Sequence, residues 1–113
     1  MTTRGSCHCG AIAFSFEAKP GPVIDCNCSI CRRRGALLTA IDPEAFHLET
    51  PREALSTYTF NREVIQHRFC AVCGCAPFAE AEIGDQAMMM INLRCTELDL
   101  EGLELMKFDG ASL

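Results

Sequence analysis

Cys70-Ala71-Val72-Cys73-Gly74 is the stretch on which the fold turns. A turn with glycine after the second cysteine lets backbone N–H groups approach both sulfurs, because glycine tolerates the positive φ this requires. Thiolate is the soft donor that zinc prefers, and a closed structural site takes four ligands. A matching pair lies in Cys7-His8-Cys9-Gly10, since residues i and i+2 of an extended segment face the same way. Closing Cys7, Cys9, Cys70 and Cys73 on one ion ties the first strand to a segment roughly sixty residues further on. Such a site contributes folding free energy directly. Unbound, buried thiols are the plainer alternative.

Three more thiols stand in Cys26-Asn27-Cys28-Ser29-Ile30-Cys31, followed by Arg32-Arg33-Arg34-Gly35. Three ligands are one short of a tetrahedron. Either Cys75, Cys95, His8 or His67 supplies the fourth and the site is structural, or the position is open, as in catalytic zinc sites. Zinc with three thiolates carries a net −1, which makes it a weak Lewis acid. It is better suited to holding an incoming thiol as thiolate, a nucleophile for an electrophilic carbon such as an aldehyde. Arg32, Arg33 and Arg34 either attract an anionic thiol or face water. His67 is a packed residue or a base; His8, between two proposed ligands, points away from the metal by strand alternation.

With 113 residues the chain is read as one zinc-binding domain, 1–113. A domain of this size buries only about 65% of its unfolded surface, so metal cross-links help it. Nine cysteines in a secreted chain would suggest disulfides, but the count is odd and the first residues carry no apolar signal region. A cytoplasmic location follows as the expectation. Redox pairs of the thioredoxin kind need a βαβ pattern, which is absent here. The longest apolar run, residues 87–91, is far below the ~20 of a membrane span. A net charge of −5 and a pI of 5.1 argue against nucleic acid as a partner. Seven thiolates around two zinc ions take the formal charge to about −8.

Elsewhere the pattern is of short strands. Ile12, Phe14 and Phe16 alternate within 11–16, a half-buried strand. Lys19-Pro20-Gly21-Pro22 is a turn. Residues 35–41 read as a strand ending at Asp42-Pro43, which caps one helical turn through Phe46. Segments 56–60 and 63–69 flank a hairpin turn at Asn61-Arg62. Segments 76–83 and 87–93 are strand-like on either side of Gly84-Asp85-Gln86, with Met88 to Met90 as core filling. Asp99 caps a helical turn before Gly102, and 103–108 form a last strand. Turns every 8–12 residues or so make this a mainly β domain.

Gly5-Ser6-Cys7-His8-Cys9-Gly10, Cys26-x-Cys28-x-x-Cys31-Arg32-Arg33 and His67-Arg68-Phe69-Cys70-x-x-Cys73-Gly74 together resemble one family signature. It is that of the glutathione-dependent formaldehyde-activating enzymes, which also takes in centromere-protein-V-like proteins. Ile91-Asn92-Leu93-Arg94-Cys95 and Phe108-Asp109-Gly110 are similar to its shorter members. The resemblance implies a zinc-stabilised β-tent of short antiparallel strands. It implies structural zinc on Cys7, Cys9, Cys70 and Cys73, and a second, catalytic-type zinc on Cys26, Cys28 and Cys31. The implied reaction joins glutathione and formaldehyde as S-hydroxymethylglutathione, a carbon–sulfur lyase run in reverse. Since glutathione is anionic, Arg32 and Arg33, next to the trio, are the candidate residues to bind it. A zinc-stabilised binding module without catalysis is the alternative.

Overall fold

The computed structural model describes residues 2–17, 22–60 and 65–112. Most of the predicted turn at Lys19-Pro20-Gly21-Pro22, and all of that at Asn61-Arg62, lies outside the described residues. The protein is mainly β, with 46% strand and 17% helix. In order the elements are β1 (Thr3–Ser6), β2 (Ala13–Phe16), β3 (Val23–Cys26), α1 (Ser29–Arg34), β4 (Leu38–Ile41), β5 (Phe46–Leu48) and β6 (Leu55–Tyr58). Then come β7 (Ile65–Cys70), β8 (Phe78–Ile83), β9 (Gln86–Asn92) and β10 (Leu105–Phe108).

The strands form a small sheet, β1-β2-β5, and a large one, β10-β3-β4-β9-β8-β7-β6. Local signals account for several joints. Asp42 caps the short helical turn Pro43–Ala45 by accepting from the Glu44 N–H at 2.9 Å, and proline occupies its start. Gly84 takes a positive φ of 64° in the tight turn that puts β8 and β9 in register. Asp99 caps a turn as expected, accepting from the Glu101 N–H at 3.0 Å, but no helix follows.

An aromatic triangle joins the sheets. Phe14 of β2, Phe46 of β5 and Phe78 of β8 lie with centroids 5.6, 5.8 and 4.8 Å apart. Each such pair adds about 0.5–1.5 kcal/mol beyond simple burial. Ile12, Phe14 and Phe16 are fully buried as the alternation implies, but Ser15 is only 6% exposed. The strand is therefore covered on both faces and not half-buried. Of the three methionines only Met89 is buried; its neighbours point the other way along β9 and are partly exposed.

Two departures shape the site. Residues 29–34, with the tribasic run at their end, form a short helix that no periodicity in the sequence announces. The last strand pairs in parallel with β3, Leu105 opposite Val23 through Phe108 opposite Cys26. The other strand pairs are antiparallel, as expected. Residues 93–104 carry the chain from the end of β9 past β4 and β3 to this edge, a long crossover of the kind strands running in one direction need.

Candidate metal centres

Two groups of cysteines converge, and among the described residues no other His, Cys, Asp or Glu cluster could hold an ion. In each, the sulfurs lie within 4.8 Å of one another.

The first is Cys7, Cys9, Cys70 and Cys73. Cys7 and Cys9 do not sit in an extended segment. They occupy a tight turn just beyond β1, closed by the Gly10 N–H donating to the Cys7 carbonyl at 3.3 Å. A second turn after β7 mirrors it, with the Gly74 N–H donating to the Cys70 carbonyl at 2.8 Å. Both glycines have positive φ, 86° and 81°, which side-chain-bearing residues rarely adopt. Turning the chain this way aims N–H groups at sulfur: Ile12 donates to Cys7 Sγ at 3.3 Å and Cys73 to Cys70 Sγ at 3.5 Å. His8 is exposed on the outside of its turn.

The spacing fits the donor chemistry. Sulfurs at 2.3 Å from a tetrahedral zinc stand about 3.8 Å apart. Cys7 and Cys9 are 3.7 Å apart, Cys9 and Cys70 3.5 Å. The Cys75 N–H, and then that of Cys9, pull the Cys73 thiol down to about 5; the Cys73 N–H lowers Cys70. At Cys9 the Ala11 N–H acts in the same sense. The neighbouring thiols, Cys70 foremost, and burial outweigh it and push Cys9 up to about 11. Thiols crowded together resist ionising one after another, and a cation among them relieves that.

The second group is Cys26, Cys28 and Cys31. Cys26 ends β3, Cys28 is the N-cap of α1, and Cys31 lies one turn into that helix. At 3.6 residues per turn, Cys28 and Cys31 share one face. Gly35 ends the helix in the left-handed region, donating to the Cys31 carbonyl at 2.9 Å. Burial raises Cys26 and Cys31. It acts the same way on Cys28, but the Cys31 N–H and the adjoining thiols outweigh it and hold Cys28 low.

None of the four proposed fourth ligands reaches this trio among the described residues. Cys75 lies beside the other centre, where its carbonyl accepts from the Cys70 N–H at 2.9 Å. Cys95 is pushed up to about 11, first by burial and then by the charges of Cys75, Cys7 and Cys73, so it too adjoins the four-cysteine group. His67 is 9% exposed, with its ring stacked on Phe60 at 5.4 Å. Burial, and then Arg34, hold its imidazole below the usual range. It is a packed residue.

The arginines diverge around α1. Arg32 lies on the side of Cys28 and Cys31 by helical spacing. Arg33 turns away, into an open groove of about 300 Å³ lined also by Ser29, Ile30, Tyr58 and Phe60, and donates to the Ser29 carbonyl at 2.9 Å.

Asn27 and Gly110 stand beside the trio, and neither is assigned a role there from the sequence, although Gly110 falls within the Phe108-Asp109-Gly110 stretch of the family resemblance. An Asn between two cysteines is visible in the sequence, but its partners lie more than eighty positions away, |i−j| = 82 and 84.

A crystal structure of a protein from Rhodobacter sphaeroides, a structural-genomics target, has a similar fold with a TM-score of 0.78. It is 27% identical, and the match covers 91% of this chain and 99% of that one. The family model for glutathione-dependent formaldehyde-activating enzymes matches residues 2–103, taking in both cysteine groups. The chain belongs to the glutathione-dependent formaldehyde-activating enzyme family.

Proposed function

We propose that this protein adds a small thiol of the glutathione kind to a small aldehyde such as formaldehyde, with zinc at both cysteine centres. The observation that carries this reading is the unequal completeness of the two groups. Four thiols meet at one; at the other, three meet and no further His, Cys, Asp or Glu among the described residues joins them. Zinc bound to Cys26, Cys28 and Cys31 would keep one position for a substrate thiol and stabilise it as thiolate. Cys7, Cys9, Cys70 and Cys73 would hold the structural ion.

The chemistry asked of the protein is modest. The thiol loses its proton, sulfur bonds to the aldehyde carbon, the carbonyl π pair moves to oxygen, and that oxygen takes up a proton. Atoms and charge balance without an oxidant or reductant. Run backwards, the same step is a carbon–sulfur lyase reaction. Arg32, on the cysteine face of α1, offers its guanidinium to a carboxylate of the incoming anion. Arg33 extends the positive surface into the neighbouring groove.

Cobalt substitution tests the reading. Glutathione added to the two-cobalt protein should strengthen the thiolate charge-transfer bands, and Cys28→Ser should abolish that response while the first centre stays loaded. Two four-sulfur centres indifferent to glutathione would leave a zinc-stabilised binding module as the better account.

A further inference from the structure

Past β10 the chain turns back over the cysteine trio, and one side chain holds it there. Asn27, between Cys26 and Cys28, makes three hydrogen bonds to residues 108–111. Its backbone N–H donates to the Phe108 carbonyl at 3.1 Å. Its Nδ2 donates to Asp109 Oδ1 at 3.0 Å, and its Oδ1 accepts from the Ala111 N–H at 2.9 Å. Both ends of the amide are in use, which only Asn or Gln can manage, and Gln is a methylene longer.

What the clamp presses against the trio is Gly110. A Cβ on that residue would stand 2.6 Å from Cys26 Sγ, closer than such contacts are seen, and a tight 3.1 Å from Cys28 Cβ. The backbone of the turn is therefore in contact with a proposed ligand sulfur. Only glycine allows it.

A strand can be held at a sheet edge by its side chains, but β10 is not. Leu105, Met106 and Phe108 are 54%, 48% and 45% exposed. With so little apolar burial, polar contacts hold the segment, among them its backbone ladder with β3 and the bonds from Asn27. Removing one amide should therefore loosen the turn and leave the sheets alone.

We propose that Asn27 is a positioning residue which holds the 108–111 turn as a wall against Cys26, closing that flank of the trio. Metal held there then exchanges more slowly than it would without the wall, and an incoming thiol enters from the opposite flank. The inference rests on the reading of Cys26, Cys28 and Cys31 as a metal site. Partners that orient metal ligands are typically worth 10–100-fold in metal affinity.

The test is zinc release from the full-length protein to an excess of a chromogenic chelator. Wild type should give a faster phase from the trio and a slower one from the four-cysteine centre. Asn27→Ala should accelerate the fast phase about 10–100-fold, leaving the slow phase and the circular dichroism unchanged. Gly110→Ala, which drives the turn away from Cys26, should do the same. Asn27→Asp alone sets a second carboxylate against Asp109 and should behave like the alanine variant. Pairing it with Asp109→Asn restores an acceptor for the Ala111 N–H and an amide donor opposite, at unchanged net charge. That double variant should return the fast phase towards wild type, a rescue that a general loss of structure would not permit. Two phases in wild type, with Asn27→Ala leaving both untouched, would overturn the clamp alone. A single phase of one zinc per chain would overturn the open metal site and the clamp with it.

Discussion

The four-cysteine centre draws on two turns, one after β1 of the small sheet and one after β7 of the large. The three-cysteine centre draws on a single strand–helix junction, β3 into α1, within the large sheet. Both use the same donor atom, but they close very different lengths of chain. Cys9 and Cys70 are 61 residues apart, while the trio spans six consecutive positions. Closing a long loop restricts the unfolded ensemble far more than closing a short one. An ion at the first centre thus belongs to the fold, and one at the second mainly to the local site.

The largest effect should come from breaking the long-range centre. Cys73→Ser removes one thiolate of four and leaves the others crowded and uncompensated. Structural zinc in small domains is worth on the order of 10 kcal/mol, comparable to the whole stability of a domain this size. The variant should be insoluble, or unfolded by circular dichroism with less than one tightly held zinc. A soluble, cooperatively melting, zinc-poor Cys73→Ser protein would contradict the structural role. Cys28→Ser should melt cooperatively within a few degrees of wild type and lack only the second metal.

A pair of glycines sharpens the contrast at intermediate scale. Gly5 and Gly110 are both pressed against a neighbour, but against different kinds. A Cβ at Gly5 would meet Phe14 Cζ at 2.4 Å and the Cys95 carbonyl oxygen at 2.7 Å. Phe14 is fully buried in the aromatic triangle and has nowhere to go. Gly5→Ala should cost about 1–3 kcal/mol by overpacking, read as a lower urea midpoint with unchanged slope. Gly110→Ala should barely move the midpoint, since its neighbours are Cys26 and an exposed edge strand. Equal losses at both would mean that the trio is as much a part of the folding unit as the four-cysteine centre.

The same contrast explains what was legible in the sequence. Cys-x-x-Cys-Gly announces its turn locally, so the four-cysteine grouping and the part played by Gly74 could be read directly, while the turn at Cys7-x-Cys9-Gly10 could not. Asp42-Pro43 likewise announced its own capped turn. The extended reading of Cys7 and Cys9 was wrong, because strand alternation and a tight turn both bring i and i+2 sulfurs together. Helix α1 was missed for a physical reason. It is six residues long, has no side-chain cap and no buried residue, so hydrophobic periodicity had nothing to show. Its face placement in turn separates Arg32 from Arg33, which sequence alone treats as equivalent. The C-terminal wall was invisible because it depends on a parallel pairing across the sheet edge, and exposed residues such as Leu105 and Met106 leave no period-two signature of burial.

His67 offers the smallest and most local probe, since it stands between the two centres. It lies on β7, which ends at Cys70, and its imidazole feels Arg34 at the end of the helix that carries the trio. Burial is the larger cause of its lowered pKa and Arg34 the smaller. A folded pKa below the unfolded 6.5 means that the unfolded chain takes up a proton the folded chain refuses. Stability is then complete above 6.5 and falls as pH drops from there through the folded value. The direct measurement is the titration of the His67 ring protons by NMR, with a midpoint below 6.5. Arg34→Ala should raise that midpoint but leave it short of 6.5, because burial, the larger cause, remains. If the midpoint does not move, α1 and β7 are electrostatically independent, and the two centres are more separate than their shared sheet implies. If it rises all the way, the imidazole is hydrated in solution, and the stacking on Phe60 is looser than 5.4 Å indicates.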